Sequence, residues 1–279
     1  LERFRELPFD ERFNMKEKLT PDIEFVFGPP GTGKTTHLAE KILIPMMQGI
    51  EPTKVLVLTP TNKAADVLTT RIMEKMGADT SYQDWLVRFG TSNDERIEQV
   101  GVWRDRSFNI DALDRSVTVT TIARFAYDGF KGTKKLCEME WDVIVIDEAS
   151  MIPLCNIIYP LYRQKPRKFI IAGDPFQIEP IVAVEQWKDE NIYTLVGLNK
   201  EGAFAKPVTE PHDYLVTNLE TQYRSIPAIG EIFSHFTYEG ILKHNRVAGT
   251  QRPLKLDNLD IQPVNLIKFP VSNYESIYR

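Results

Sequence analysis

Four residues at fixed spacing carry the first chemical signal. Gly28, Gly33, Lys34 and Thr35 fill the pattern G-x-x-x-x-G-K-T within G-P-P-G-T-G-K-T. A loop of this kind turns backbone N–H groups inward around phosphate oxygens, and the helix behind it adds its positive N-terminal end. Gly31 and Gly33 allow turns that a Cβ would obstruct. The ammonium of Lys34 suits β- and γ-phosphates, and the Thr35 hydroxyl suits a Mg²⁺ shell. The plain alternative is a Gly-rich turn that happens to precede a helix. Read chemically, Gly28, Pro29, Pro30, Gly31, Thr32, Gly33, Lys34, Thr35 and Thr36 form a candidate cradle for ATP and Mg²⁺.

Two further clusters fit the same reaction. In W-D-V-I-V-I-D-E-A-S, Asp147 and Glu148 follow an apolar run. An Asp at such a strand end can hold Mg²⁺, and a neighbouring Glu can orient and deprotonate an attacking water. A capping pair is the alternative. In F-I-I-A-G-D-P-F-Q, Gln177 lies just beyond a Gly-Asp turn. A neutral amide there can bond to a γ-phosphate or to the attacking water.

These groups need a scaffold that delivers them to one edge. Ile23 to Phe27, Lys54–Thr59, Val117–Ile122, Val143 to Ile146 and the run after Lys168 are rich in apolar and β-branched residues. Continuous runs of this type suit strands buried on both faces. Alternating with helical patterns, Thr36–Met47 among them, they predict an α/β fold: a parallel sheet with helices on both faces. The helix after Asn62 should bury Ala64, Ala65, Val67, Leu68 and Ile72. Thr59, Pro60 and Asn62 form a hydroxyl-rich turn, which either grips a nucleic-acid phosphate or is ordinary capping by Asn62. Residues 77–116 interleave Tyr82, Trp85, Arg88, Phe89, Trp103, Arg104, Arg106 and Phe108. They read as an insertion on the sheet's edge, whose rings either stack on single-stranded bases or build a small core. Residues 1–22 suggest a lead-in helix and loop, Lys131–Lys135 a basic loop, 185–213 a connection, and Val264–Phe269 a last strand. An amphipathic helix should carry Ile229, Ile232, Phe233 and Phe236.

Composition narrows the class. With 279 residues and 42% apolar content, the chain can build one large α/β domain or one and a fraction. A net charge of −5 gives no global positive field, so any nucleic-acid contact must be local. Cys137 and Cys155 form no CxxC or Cys/His cluster, consistent with a reduced intracellular compartment, cytoplasmic or nuclear, and no structural zinc. No apolar run approaches membrane-spanning length. The first residue, Leu1, points to a piece of a longer protein.

In order, these motifs resemble those of the superfamily 1 helicases. G-P-P-G-T-G-K-T looks like motif I, T-P-T-N at Thr59–Asn62 like motif Ia, and D-E-A-S at Asp147–Ser150 like motif II. G-D-P-F-Q at Gly173–Gln177 looks like motif III, and L-E-T-Q-Y-R-S at Leu219–Ser225 like motif IV. The resemblance implies a RecA-like ATPase domain over 1–213 and the start of a second, incomplete one over 214–279. It implies that Lys34 and Thr35 bind phosphate and Mg²⁺, Asp147 holds Mg²⁺ and Glu148 activates water. Gln177 would couple the γ-phosphate to the nucleic-acid site, Tyr223 would stack on adenine, and Arg224 would reach the γ-phosphate. Thr59, Pro60 and Asn62 would lie along the nucleic-acid track. The segment Q-Y-R-S-I-P-A-I is similar to the subgroup of RNA-decay and Dna-type helicases, which usually moves 5′ to 3′. Motifs V and VI are absent before Arg279, so nucleotide binding is expected to survive, hydrolysis to be weak and unwinding to be lost without the rest of a parent chain. The expected function is ATP hydrolysis coupled to movement on single-stranded DNA or RNA. A P-loop switch controlling partner binding is the alternative. A nucleotide kinase would want a lid and acceptor-binding arginines, whereas this chain offers D-E-A-S and the G-D-x-x-Q turn.

Overall fold

The apolar runs become strands because each has two faces to bury. A computed structural model describes residues 22–130, 135–164, 166–180, 182, 190–199, 203–204 and 214–246, and the backbone of 255–256 and 259–260. The first strands are β1 (Ile23–Phe27), β2 (Lys54–Thr59), β3 (Leu86–Phe89), β4 (Trp103–Arg104) and β5 (Ser116–Thr121). They are followed by β6 (Val143–Ile146), β7 (Lys168–Gly173) and β8 (Leu215–Asn218). These eight form one sheet in the order β4-β3-β5-β2-β6-β7-β1-β8. Every pairing in it is parallel.

Period-two alternation hides inside the continuous runs. Phe25, Leu56, Leu58, Ile144, Ile146, Phe169 and Ile171 pack on one face. Val26, Val55, Val57, Val143, Val145, Ile170 and Ala172 pack on the other. Each such side chain, when fully buried, stabilises the fold by about 1.5–3 kcal/mol. The second face is covered by the helix behind the phosphate loop and by α3 (Asn62–Met76). The first is covered by α5 (Leu154–Arg163) and α6 (Ile192–Leu195). This is the parallel-sheet P-loop architecture that the motifs required.

The helix behind the phosphate loop is not regular. It runs as α1 (Lys34–His37), a π-helical segment (Leu38–Leu43) and α2 (Ile44–Gln48). Ile44 N–H reaches back five residues to Ala39 O. Pro45 has no N–H to give and its ring would crowd the preceding turn, so a wider turn accommodates it.

Several expectations change. Residues 77–116 supply β3 and β4 to the main sheet, with α4 (Glu95–Gln99) between them. Tyr82, Trp85 and Phe89 are core residues, and Arg88 is fully buried. Val67, expected on the apolar side of α3, is exposed. The cap of α3 is Thr61, whose hydroxyl accepts from Ala64 N at 3.1 Å, so Asn62 is its first helical residue. Residues divide by contact into two units, the first ending at Glu220 and the second beginning at Thr221. Leu215–Asn218 pairs with β1 and belongs to the first, although a boundary near 213 was expected.

In the second unit, β9 (Thr221–Gln222) pairs in parallel with β10 (Lys243–His244), beside α7 (Pro227–Thr237). The expected helix is there, but Ile229, Ile232 and Phe236 are exposed. A short antiparallel pair joins β11 (Lys255–Leu256) to β12 (Leu259–Asp260). The lead-in segment before Asp22, most of the basic loop 131–135, most of the 185–213 connection and the 264–269 strand lie outside the described residues. Among the described residues, no helix is long and apolar enough to cross a membrane.

Candidate nucleotide-binding site

Sheet register brings the three motif loops together. Phe27 lies beside Gly173, and Ile146 beside Ile171, so β6, β7 and β1 end side by side. Gly28, Asp147 and Asp174 therefore leave the sheet at one edge. Gly28 N donates to Gly173 O at 3.0 Å, and Asp147 N donates to Leu58 O at 3.0 Å.

The phosphate loop has the backbone its glycines permit. Gly31 and Gly33 take φ of 78° and 83°, a left-handed region costly for other residues. Thr32 closes the turn, its N and Oγ1 donating to Pro29 O at 3.2 and 2.8 Å. His37 N donates to Gly33 O at 2.8 Å, so the helix begins directly at the loop.

Lys34 emerges from this loop almost buried, and its Nζ lies 3.0 Å from Glu148 Oε2. Asp147 is enclosed, and burial pushes its carboxyl up to about 6; Lys34 pulls it down, Glu148 pushes it up, and the Glu148 N–H pulls it down. That N–H donates to Asp147 Oδ1 at 2.9 Å. Glu148 has φ 52°, a left-handed backbone in a non-glycine residue. Such strain costs about 1–3 kcal/mol and tends to mark functional positions.

A divalent cation fits this donor set. Asp147 is a buried carboxylate that Lys34 alone does not restore to its ordinary value. Among the described residues, no group of three or more His, Cys, Asp or Glu could hold a metal by itself. Phosphate oxygens and water would have to complete the shell, as Mg²⁺ at nucleotide sites prefers.

The turn after β7 is held by Asp174, which the sequence marked only as part of a Gly-Asp turn. Asp174 accepts from Phe176 N and from Gln177 Nε2, both at 3.0 Å. It is fully buried and fixes the amide of Gln177. The Asp-Pro-Phe spacing of an Asx turn was the available signal.

The Thr59–Asn62 turn is built differently from expectation. Thr59 is buried, and its hydroxyl donates to Thr61 O at 2.9 Å and Thr120 O at 3.3 Å. Its hydroxyl proton is spent on shaping the turn. Pro60 and Asn62 are half-buried. Arg88, also missed as a strut, pairs with Asp66 at 2.8 Å. It further donates to Asn62 Oδ1 at 3.3 Å and Thr91 O at 2.6 Å. A cleft of about 280 Å³ is lined by Thr91, Glu98, Trp103, Arg104, Asp105, Arg106 and Arg124 among others. Trp103 Nε1 donates to Gly90 O at 2.7 Å, and Arg124 bonds to Asp128 and Thr91.

Tyr223 and Arg224 belong to the second unit, and both are exposed. Gln222 braces them: its Oε1 accepts from Ser225 N and its Nε2 donates to Ser225 O, both at 2.8 Å.

Residues 12–183 match the family described as AAA domain, more than half of the chain. The DNA replication ATP-dependent helicase/nuclease DNA2 of Saccharomyces cerevisiae is 27% identical over 222 residues, 80% of this chain and 14% of that protein. The probable RNA helicase armi of Drosophila melanogaster is 24% identical over 265 residues, 81% of this chain and 22% of that protein. An Arterivirus nonstructural protein 10 helicase, solved with DNA, shares 14% identity over 84% of this chain and 43% of its own, with a TM-score of 0.46. The chain thus spans less than a quarter of the two curated relatives named. It belongs to the AAA-domain family, and the two curated relatives named are helicases.

Proposed function

We propose that this chain is the ATP- and Mg²⁺-binding core of a longer helicase or translocase, in which ATP hydrolysis drives movement on single-stranded DNA or RNA. The observation that carries the reading is the convergence of Lys34, Asp147 and Glu148 beside the phosphate loop, with Lys34 and Glu148 3.0 Å apart. Backbone N–H groups of Gly31 to Thr36 would cradle the phosphates. Lys34 would exchange Glu148 for the β- and γ-phosphates, and Glu148, so released, would take a proton from the attacking water. Thr35 and Asp147 would hold the magnesium ion. When bound, Mg²⁺ supplies charge neutralisation between phosphates. Gln177, braced by Asp174, would orient toward the γ-phosphate.

The second unit is read as the start of a second RecA-like domain, from which Tyr223 would stack on adenine and Arg224 would reach the γ-phosphate. On the nucleic-acid side, Asn62, Pro60 and the Trp103–Arg124 cleft would meet the strand, with ring and guanidinium planes suited to bases and phosphates.

Calorimetry on the Lys34→Ala variant tests the site: ATP affinity should fall at least about a hundredfold, since a buried charge-assisted contact is lost. Unchanged affinity would remove the phosphate-loop role. ATPase rates with and without single strands test the coupling. Stimulation supports a translocase, and no response to any DNA or RNA would instead indicate a nucleotide-controlled switch.

A further inference from the structure

One buried polar group at this edge has no place in the chemistry above. Tyr193 sits on α6, whose entry is locked by Asn191: its Oδ1 accepts from Tyr193 N and Thr194 N at 2.9 and 3.0 Å. The phenol is enclosed, 1% exposed, with its ring 6.3 Å from that of Phe25. Its hydroxyl lies against the last residue of β7. A Cβ built on Gly173 would stand 2.1 Å from the phenol oxygen and 3.1 Å from Ala149 N. The hydroxyl therefore fills the gap between the ends of β6 and β7. Only a glycine at position 173 leaves it room.

Among the described residues, this hydroxyl has no hydrogen-bond partner. Burial, then Asp174, Glu148 and Asp147, push its pKa well above the ordinary tyrosine value. It stays protonated and, lying against Gly173 beside the Ala149 N–H that follows Glu148, is placed to act as a donor to a carboxylate at this edge. Of the three carboxylates, Asp174 already accepts from Phe176 N and Gln177 Nε2, and Asp147 from Glu148 N. Glu148 has Lys34 as its partner, and Lys34 is the group that a triphosphate would draw away.

We propose that Tyr193 is a positioning residue: its O–H becomes a donor to the Glu148 carboxylate once phosphate has claimed Lys34. The hydroxyl then ties the strand end that carries Glu148 to the one that carries Asp174 and Gln177. It holds the carboxylate toward the attacking water without touching nucleotide. This inference rests on the nucleotide-site reading above.

Tyr193→Phe removes the hydroxyl and keeps the ring. Without nucleotide, its melting temperature should equal or exceed that of the wild type, because a buried polar group with no partner has been deleted. Affinity for a non-hydrolysable ATP analogue should stay within about twofold. The kcat should fall about tenfold with KM unchanged, and affinity for ADP with aluminium fluoride should fall by a similar factor, because the new bond is made on the way to the transition state. A lowered melting temperature without nucleotide would overturn the proposal by showing a structural hydroxyl. Unchanged affinity for ADP with aluminium fluoride would overturn it too, whatever the turnover rate. Lys34→Ala run alongside separates the two readings. If it binds ATP as the wild type does, the nucleotide site itself is wrong. If it loses ATP while Tyr193→Phe matches the wild type throughout, the tyrosine assignment alone fails.

Discussion

The Lys34–Glu148 ion pair competes with phosphate for one ammonium. Glu148→Gln removes the competitor, so ATP affinity should rise about three- to tenfold, as expected for losing a partly buried pair. Turnover should fall about 10²–10⁴-fold, because the water loses its base. Calorimetry and a phosphate-release assay check the two halves, and weaker ATP binding by the variant would contradict the competition. Asp147 makes a prediction in pH. Its folded-state pKa lies above the ordinary 3.8, at about 6, so the folded protein holds this proton more tightly than the unfolded chain. Stability is therefore fully present below about pH 4 and declines as pH rises through 6, by about 3 kcal/mol. In urea titrations with chelator, Asp147→Asn should be more stable than wild type by about that amount above pH 7 and equal to it near pH 3.5. That Lys34, Asp147 and Glu148 come to one sheet edge was legible because each motif encodes local geometry at fixed spacing. Thr61 was not, since whether it or Asn62 caps α3 is decided by backbone angles that both residues can adopt. Tyr193 was invisible for another reason: it reaches the site from a different helix, and nothing near it in sequence marks that approach.

The strands were readable where they are uniformly apolar and obscure where one polar residue interrupts them. L-V-R-F does not read as a buried strand, because an arginine in a core is the exception. In β3 the exception is satisfied locally: Asp66 from α3 meets Arg88 Nε at 2.8 Å, Phe89 O accepts from Nη1, and Thr91 O and Asn62 Oδ1 accept from Nη2. Burial lowers the Arg88 pKa, and Asp66 opposes that shift. The pair pins α3, with Asn62 at its start, to the loop that follows β3. Arg88→Met should leave Asp66 as an uncompensated buried charge and cost about 3–5 kcal/mol. That amounts to a drop of roughly 10 °C in the melting temperature. Adding Asp66→Leu should recover much of the loss, and no recovery in thermal melts would mean that the carbonyl contacts, rather than the charge, set the cost. Insertion and sheet were likewise hard to separate on paper, since β4 contributes only Trp103 and Arg104.

The chain's charge of −5 limits what nucleic-acid binding can look like. In the cleft that holds Arg104, Arg106 and Arg124, the last two already pair with Asp128, and Glu98 and Asp105 also line the wall, so few phosphates can be neutralised there at once. Affinity for a labelled single strand should fall with salt at a log–log slope of about −1 to −3, read by anisotropy. A slope steeper than about −6 would require a broad basic face that the described residues do not present. Sheet order has a consequence of a different kind. The neighbours of β1 are β7 and β8, so Phe27 must wait for Gly173 and Asn218 before either of its edges is satisfied. On the ribosome, the GKT turn is thus made long before the strands that will hold it in place. Nucleotide capture should then serve as a signal that synthesis and closure of the sheet are finished, and a nascent chain released before β7 would be a client for chaperones, unable to be rescued by ATP.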